Sequence, residues 1–291
     1  MTGGERGAGD AAEGLVRDAL AEDVGDGDRT TSWSVPEGTR GRARIVSRRT
    51  GVIAGIGLVE RVFRSLSEKV EVEAAVEDGG EVEEGGVACR VAGPLRPILT
   101  GERTALNFLS HLSGVATRTR TFVRAVDHTP CRITDTRKTT PGWRRLEKAA
   151  TRAGGAVNHR MGLYDMVLLK ENHVRAAGGV RAAVGAVRGR ADDEGLAVEV
   201  EVESVGELRE ALPAGPDRVL LDNMSLSELR SAVQLVRGVD GPRPELEASG
   251  GVDLESAPTV AETGVDLISV GRLTHSAPAL DLSLLLEQVE E

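Results

Sequence analysis

"AVEVEVESVGELREALPAGPDRVLLDNMSLSELRSAVQLVR" (residues 197–237) passes twice from a short apolar strand to a helix-length polar and apolar mixture. The same alternation extends in both directions. Before it come "RITDT" (132–136), a helix over 144–153, "MVLLK" (166–170) and a helix over 176–188. Within it lie helices over 205–212 and 225–237, on either side of "RVLLD" (218–222). After it come "ELEAS" (245–249), a helix over 254–263 and "DLISVG" (266–271). Strands separated by crossover helices pair in parallel. Six such strands predict an incomplete α/β barrel. An open doubly wound sheet competes, but no Gly-x-Gly-x-x-Gly turn opens any unit, which weakens a dinucleotide-binding version.

The first part of the chain reads differently. Residues 1–11 are Gly-rich and are expected to be a mobile terminus. Ala12, Leu15, Val16, Ala19 and Leu20 have amphipathic helical spacing. From Arg42 to Leu99 the pattern is strand-like and interrupted by the helical "GLVERVFRSLS", which predicts a small α/β (α+β) sandwich domain over residues 12–115. Residues 116–275 then form the barrel, and 276–291 form a C-terminal segment packing back on the first domain.

Composition narrows the class. The formal net charge of −10 argues against general nucleic-acid binding, and no run of 18 uncharged apolar residues marks a transmembrane helix. The N-terminus lacks a signal-peptide layout, so a cytoplasmic enzyme is expected. Two cysteines, Cys89 and Cys131, with no C-x-x-C, predict neither a disulfide framework nor a zinc site. Against the acidic background, residues 131–175 hold ten Lys or Arg and four Asp or Glu. That cluster predicts either a solvated helix face or a pocket for a strongly anionic ligand.

Barrel chemistry sits at the carboxyl ends of strands. The ends here carry Asp135-Thr136-Arg137-Lys138, Lys170-Glu171-Asn172-His173, Asp222-Asn223, Ser249-Gly250-Gly251 and Gly271-Arg272-Leu273-Thr274-His275. Glu199, Glu201 and Glu203 share one strand face. Glu201, with Asp222 on the next strand, is a candidate pair for Mg²⁺. "ASGG" and "SVGRLTHS" are small-residue turns suited to a phosphate. Lys170 could be a Schiff-base amine or a charged anion ligand. His159 beside Arg160 favours anion binding. Pro141-Gly142 makes 137–140 a candidate mobile loop.

Six stretches carry a resemblance: "ERTALNFLSHLSGVATRT", "TDTRKTTPGWRRLEKAATRAGGAVNHRMGLYDMVLLKENH", "VEVEVES", "LLDNM", "ASGGV" and "VDLISVGRLTHSAPALDLS". Together they resemble the quinolinate phosphoribosyltransferase family, from about Leu15 to Leu285. The resemblance implies a type II phosphoribosyltransferase fold. It implies that quinolinate and phosphoribosyl pyrophosphate give nicotinate mononucleotide, pyrophosphate and CO₂ with Mg²⁺, in NAD biosynthesis. By motif it implies that Arg103, Arg137, His159, Arg160 and Lys170 line the quinolinate pocket, with Lys138 between it and the phosphoribosyl donor. Glu201 and Asp222 hold the ribose–Mg²⁺ region; Ser249, Gly250, Gly271 and His275 surround the 5′-phosphate. The catalytic set it implies is Lys138, Lys170, Glu201 and Asp222. It also implies a homodimer, open to higher assembly, in which Arg103 reaches the neighbouring site. Competing readings are nicotinate phosphoribosyltransferase or a related homologue, a Schiff-base lyase using Lys170, and a non-catalytic anion or RNA binder.

Overall fold

The structure is a computed structural model and describes residues 3–239 and 241–290. In chain order the first elements are α1 (Gly3–Val24), α2 (Arg29–Ser34), β1 (Arg40–Ser47), β2 (Gly51–Val52), α3 (Ile56–Leu66), β3 (Glu71–Ala74), β4 (Glu81–Val82), β5 (Val87–Pro94) and α4 (Leu95–Ala125). Then come β6 (Arg132–Thr134), α5 (Arg144–Ala153), β7 (Val167–Leu169), α6 (Glu171–Ala177), α7 (Val180–Glu194), β8 (Val198–Val202) and α8 (Val205–Ala211). The chain ends with β9 (Arg218–Asp222), α9 (Leu226–Arg237), β10 (Glu245–Ser249), α10 (Ala257–Ala261), β11 (Leu267–Ser269), α11 (Arg272–His275) and β12 (Leu282–Glu290).

Two compact units emerge. One comprises Met1–Arg120, Thr140–Gly155 and Ser276–Glu291; the other comprises Thr121–Thr139 and Ala156–His275. The division departs from the linear boundaries read from the sequence. Helix α4 runs unbroken past residue 115, and α5 joins the first unit because its buried Ala150 belongs to that unit's core. Helix α1 also starts earlier than expected: it covers residues from Gly3 that the sequence reading leaves mobile. Residues 1 and 2 lie outside the described residues.

In the first unit β12, β1, β5 and β3 form an antiparallel sheet in that order. The C-terminal strand pairs with β1 from Ser47↔Leu282 to Arg40↔Glu290. Helix α3 buries Leu58, Val59, Val62 and Phe63, the i, i+1, i+4, i+5 stripe of a helix lying on a core. On α5, Glu147 is buried but satisfied: it accepts from Thr140 N–H at 3.0 Å and Thr140 Oγ1 at 2.7 Å, with His111 Nε2 at 2.9 Å. Burial pushes this carboxyl up, but those bonds outweigh it and hold it below its ordinary range.

The second unit is an incomplete α/β barrel. Its six strands are parallel in the order β6-β11-β10-β9-β8-β7. Among the described residues β6 and β7 do not pair with each other. The segment between them bridges the gap: Val157 pairs with Thr134, and Arg160 Nη1 donates to the Met166 carbonyl, just before β7, at 3.1 Å. Strand β8 explains the carboxylates. Val198, Val200 and Val202 are buried in the helix-covered core, so the alternate Glu199 and Glu201 face inward. The helix read over 176–188 is in fact two, because Gly178 and Gly179 at φ 86° and 130° break it.

Candidate active site

Strand pairing sets the depth of each inward side chain. At the lower level Glu199 lies beside Arg218, and Arg218 beside Glu245. Next, Glu201 lies beside Leu220, and Leu220 beside Glu247. At the carboxyl end Asp222 lies beside Ser249. Above these layers opens a cavity of about 710 Å³. It is lined by Arg137, Lys138, His159, Arg160, Lys170, Glu201, Asp222, Ser249, Gly250, Gly271 and His275, together with Thr136, Asn223, Glu247, Gly251 and Arg272. Of the residues named from sequence, Arg103 is not at this cavity. It stands exposed on α4 in the first unit.

Two guanidinium groups form its cationic wall. Arg160 is buried, and burial, followed by the nearby Arg137, pulls its pKa below the usual arginine value. The Nε of each is buried without a hydrogen-bond partner. Buried donors of like charge left in this state call for an anion.

The loop bearing Arg137 and Lys138 is anchored. Thr274 Oγ1 donates to the Lys138 carbonyl at 2.7 Å, and Lys138 N–H donates to Thr136 Oγ1 at 3.0 Å. A Cβ on Gly271 would come within 3.0 Å of Lys138 Cδ and 3.2 Å of His275 Nε2, so only a bare glycine leaves room there for both side chains. Gly250, at φ 98°, has a similar role: a Cβ there would overlap Asn223 Oδ1. Asn223 is itself left-handed at φ 52°, and its Nδ2 donates to Asp222 Oδ2 at 2.7 Å.

His159 is fixed from several sides. Asp135, fully buried, accepts from His159 N–H at 2.9 Å and from Asn158 Nδ2 at 2.6 Å. His159 Nδ1 accepts from Arg160 N–H at 2.7 Å, and Nε2 lies 3.0 Å from Glu199 Oε2. Both ring nitrogens thus engage protein groups.

Glu201 is half-buried with Lys170 Nζ 3.9 Å away. Burial raises its pKa; Lys170 opposes the rise and Asp222 adds to it. Glu203 lies past the strand and is exposed. Lys170 is 55% exposed beside that carboxylate, so no apolar pocket surrounds its amine as a Schiff-base lysine requires. Glu201 and Asp222 are hard oxygen donors close enough to repel each other. They fit a Mg²⁺ ion that keeps several waters and takes substrate oxygens.

The profile of the quinolinate phosphoribosyl transferase C-terminal domain matches residues 115–285, and that of the N-terminal domain matches residues 28–113. The chain belongs to the quinolinate phosphoribosyltransferase family. A nicotinate-nucleotide pyrophosphorylase [carboxylating] of Mycobacterium leprae is 45% identical over 278 residues, spanning 94% of this chain and 97% of the relative. A probable nicotinate-nucleotide pyrophosphorylase [carboxylating] of Synechocystis is 43% identical over 91% of this chain and 89% of its own. The solved nicotinate-nucleotide pyrophosphorylase of Francisella tularensis superposes with a TM-score of 0.90 at 39% identity, covering 96% of each chain.

In this quinolinate phosphoribosyltransferase family member, several wall and support residues carry no role in the sequence, although Asp135, Asn223 and Arg272 stand among its strand-end residues. Asn223 and Arg272 line the cavity, Asp135 holds His159, and Glu247 lies at the floor. Asp135 and Asn223 had a signal, since each borders a strand end. Glu247 had none, because its depth follows from strand register.

Proposed function

We propose that this chain transfers phosphoribosyl from phosphoribosyl pyrophosphate to quinolinate with decarboxylation, forming nicotinate mononucleotide, pyrophosphate and CO₂ in NAD biosynthesis. The observation that carries the reading is the pairing of Arg137 and Arg160, both with unpartnered buried Nε atoms, in the cavity that holds Glu201 and Asp222. Guanidinium forks suit planar carboxylates. Two of them, with Lys170 beside them, suit a pyridine dicarboxylate better than a monocarboxylate.

The roles follow from the chemistry. Arg137, Arg160 and Lys170 hold quinolinate so that its ring nitrogen faces the anomeric carbon of the donor. His159 closes that pocket by its ring, with its nitrogens turned to protein groups. Ser249, Gly250, Gly271 and His275 receive the 5′-phosphate, where small residues admit backbone N–H groups. Positive charge grows on the ribose and negative charge on departing pyrophosphate; Glu201 meets the first and Lys138 the second. Mg²⁺, held by Glu201 and Asp222, would neutralise pyrophosphate charge. Alkylation makes the ring nitrogen cationic, so it can bear the electron pair left at C2 when the adjacent carboxylate leaves as CO₂.

We place the reaction in the cytoplasm, because both substrates are multiply charged small molecules that do not cross a bilayer unaided. The working unit is a homodimer in which Arg103 of a second copy completes each site. Mixing Arg103→Ala with Lys138→Ala chains is expected to restore about a quarter of normal activity, because one site in the mixed dimer then holds both intact residues. Mixtures no more active than the separate variants would remove the shared site.

The assay that tests the whole reading supplies carboxyl-labelled quinolinate, the donor and Mg²⁺, and follows labelled CO₂ with nicotinate mononucleotide. Equal yields of both are expected. Nucleotide formed from nicotinate and none from quinolinate would reject the reading.

A further inference from the structure

Below the cationic wall lies a second group of charges to which the mechanism above gives no task. Glu199 on β8 and Glu247 on β10 are both fully buried. An oxygen of each and a ring nitrogen of His159 lie within 4.8 Å of one another. Neither Glu199 oxygen nor Glu247 Oε1 has an aligned hydrogen-bond donor. Facing Glu247 are Glu199 from β8, His159 Nε2 at 3.7 Å, Arg218 from β9 at 3.2 Å and the Ser269 hydroxyl from β11. Arg218 is shared, since it also holds Glu245 of β10 at 2.9 Å.

A metal ion does not fit here. His159 Nδ1 accepts the Arg160 N–H, so an imidazole proton sits on Nε2, which then has no lone pair to offer. Protons must balance the charge instead. Glu247, desolvated by burial and set beside Glu199, does not ionise cheaply and holds its proton above the ordinary carboxyl range. Glu247 is the member of the pair that lines the cavity.

We propose that Glu247 is the acid that protonates C2 of the pyridine ring after CO₂ has left. This rests on the functional reading above. The bond between C2 and its carboxylate breaks, CO₂ departs and the electron pair stays on C2. That pair takes the proton from the Glu247 carboxyl; C2–H forms, and Glu247 is left as a carboxylate. Arg218 and the Nε2–H of His159 meet the new charge, and water restores the proton before the next cycle. Burial, with Glu199 adding, pushes the Glu247 pKa up to about 7, so the acid is present at neutral pH and is a match for its task.

The test compares wild type with the isosteric Glu247→Gln in single turnovers from about pH 5 to pH 9, scoring nucleotide formation and quinolinate binding separately. In wild type, nucleotide formation is expected to fall on the alkaline side with a midpoint near 7. In Glu247→Gln the rate is expected to drop by about 10²-fold and the alkaline fall to vanish, with quinolinate affinity retained. A merely structural role would weaken binding and leave the limb in place. An unchanged limb at wild-type rate in Glu247→Gln overturns the proposal. So does a wild-type profile flat through neutral pH, a result available even if the variant fails to fold.

A second readout does not depend on activity. A carboxyl whose folded pKa stands above its ordinary 4.5 contributes stability that is full below 4.5 and is lost as pH rises through about 7. The unfolding midpoint of Glu247→Gln should therefore gain on wild type across that window; a constant difference overturns the proton on Glu247. If the midpoints behave as expected but wild type makes no nucleotide from quinolinate, the functional reading fails and the proton-donor step falls with it, while the buried acid stands.

Discussion

Replacing Glu201 by alanine is expected to lower turnover with quinolinate by about 10²- to 10³-fold, the loss of one preorganised charge aimed at a transition state. The fold should survive. Glu201 is half-buried at the cavity wall, and its environment already disfavours its charge through burial and the nearby Asp222. Alanine removes that strain and leaves the valine face of β8 buried under its helices. The expected signature is therefore a fall in kcat with little change in KM, and a melting temperature equal to or above that of wild type. Glu201→Gln should behave similarly in turnover, because the amide keeps the shape without the charge. A wild-type kcat would remove Glu201 from the chemistry. A collapse of the melting transition would make it a structural residue instead.

Much of the barrel was legible because parallel strands covered by helices must place apolar residues outward. Val198, Val200 and Val202 meet that demand, and Glu199 and Glu201 are what remains for the interior. The strand ends were legible for the same reason: once six strands were in place, Lys170, Asp222, Ser249 and Gly271 had to share one rim. Charge counting succeeded only in part. Of the cations gathered in residues 131–175, Arg137, Lys138, Arg160 and Lys170 line the cavity. Arg144, Arg145, Lys148 and Arg152 lie in the first unit, where Lys148 is wholly buried. A linear count cannot separate them, because the chain leaves one unit at Thr139 and re-enters it at Ala156. The floor was hidden for another reason. Glu247 sits in "ELEAS", a stretch that reads as an ordinary strand. Only its register, beside Leu220 and within reach of Arg218, puts its carboxyl beneath the cavity.

Arg160→Ala is expected to lower kcat/KM for quinolinate by about 10²- to 10³-fold, within the 2–5 kcal/mol cost of truncating one partner of a buried charge pair. The side chain has two jobs. Its Nη1 donates to the Met166 carbonyl, while its Nε is buried and unpartnered, and the residue lines the same cavity as Arg137. Losing the first bond costs about 1 kcal/mol of folding stability. Against this, removing a guanidinium whose charge is disfavoured by burial and by the nearby Arg137 returns part of the loss to the ligand-free protein. Binding and stability should therefore separate: the unliganded melting temperature shifts little, while the rise on adding quinolinate, large in wild type, nearly disappears. Arg160→Lys should recover little, because an ammonium keeps the charge but not the planar fork that a ring carboxylate engages. Should quinolinate raise the melting temperature of Arg160→Ala as much as that of wild type, Arg160 does not bind it, and the Arg137–Arg160 pair ceases to be the acceptor site.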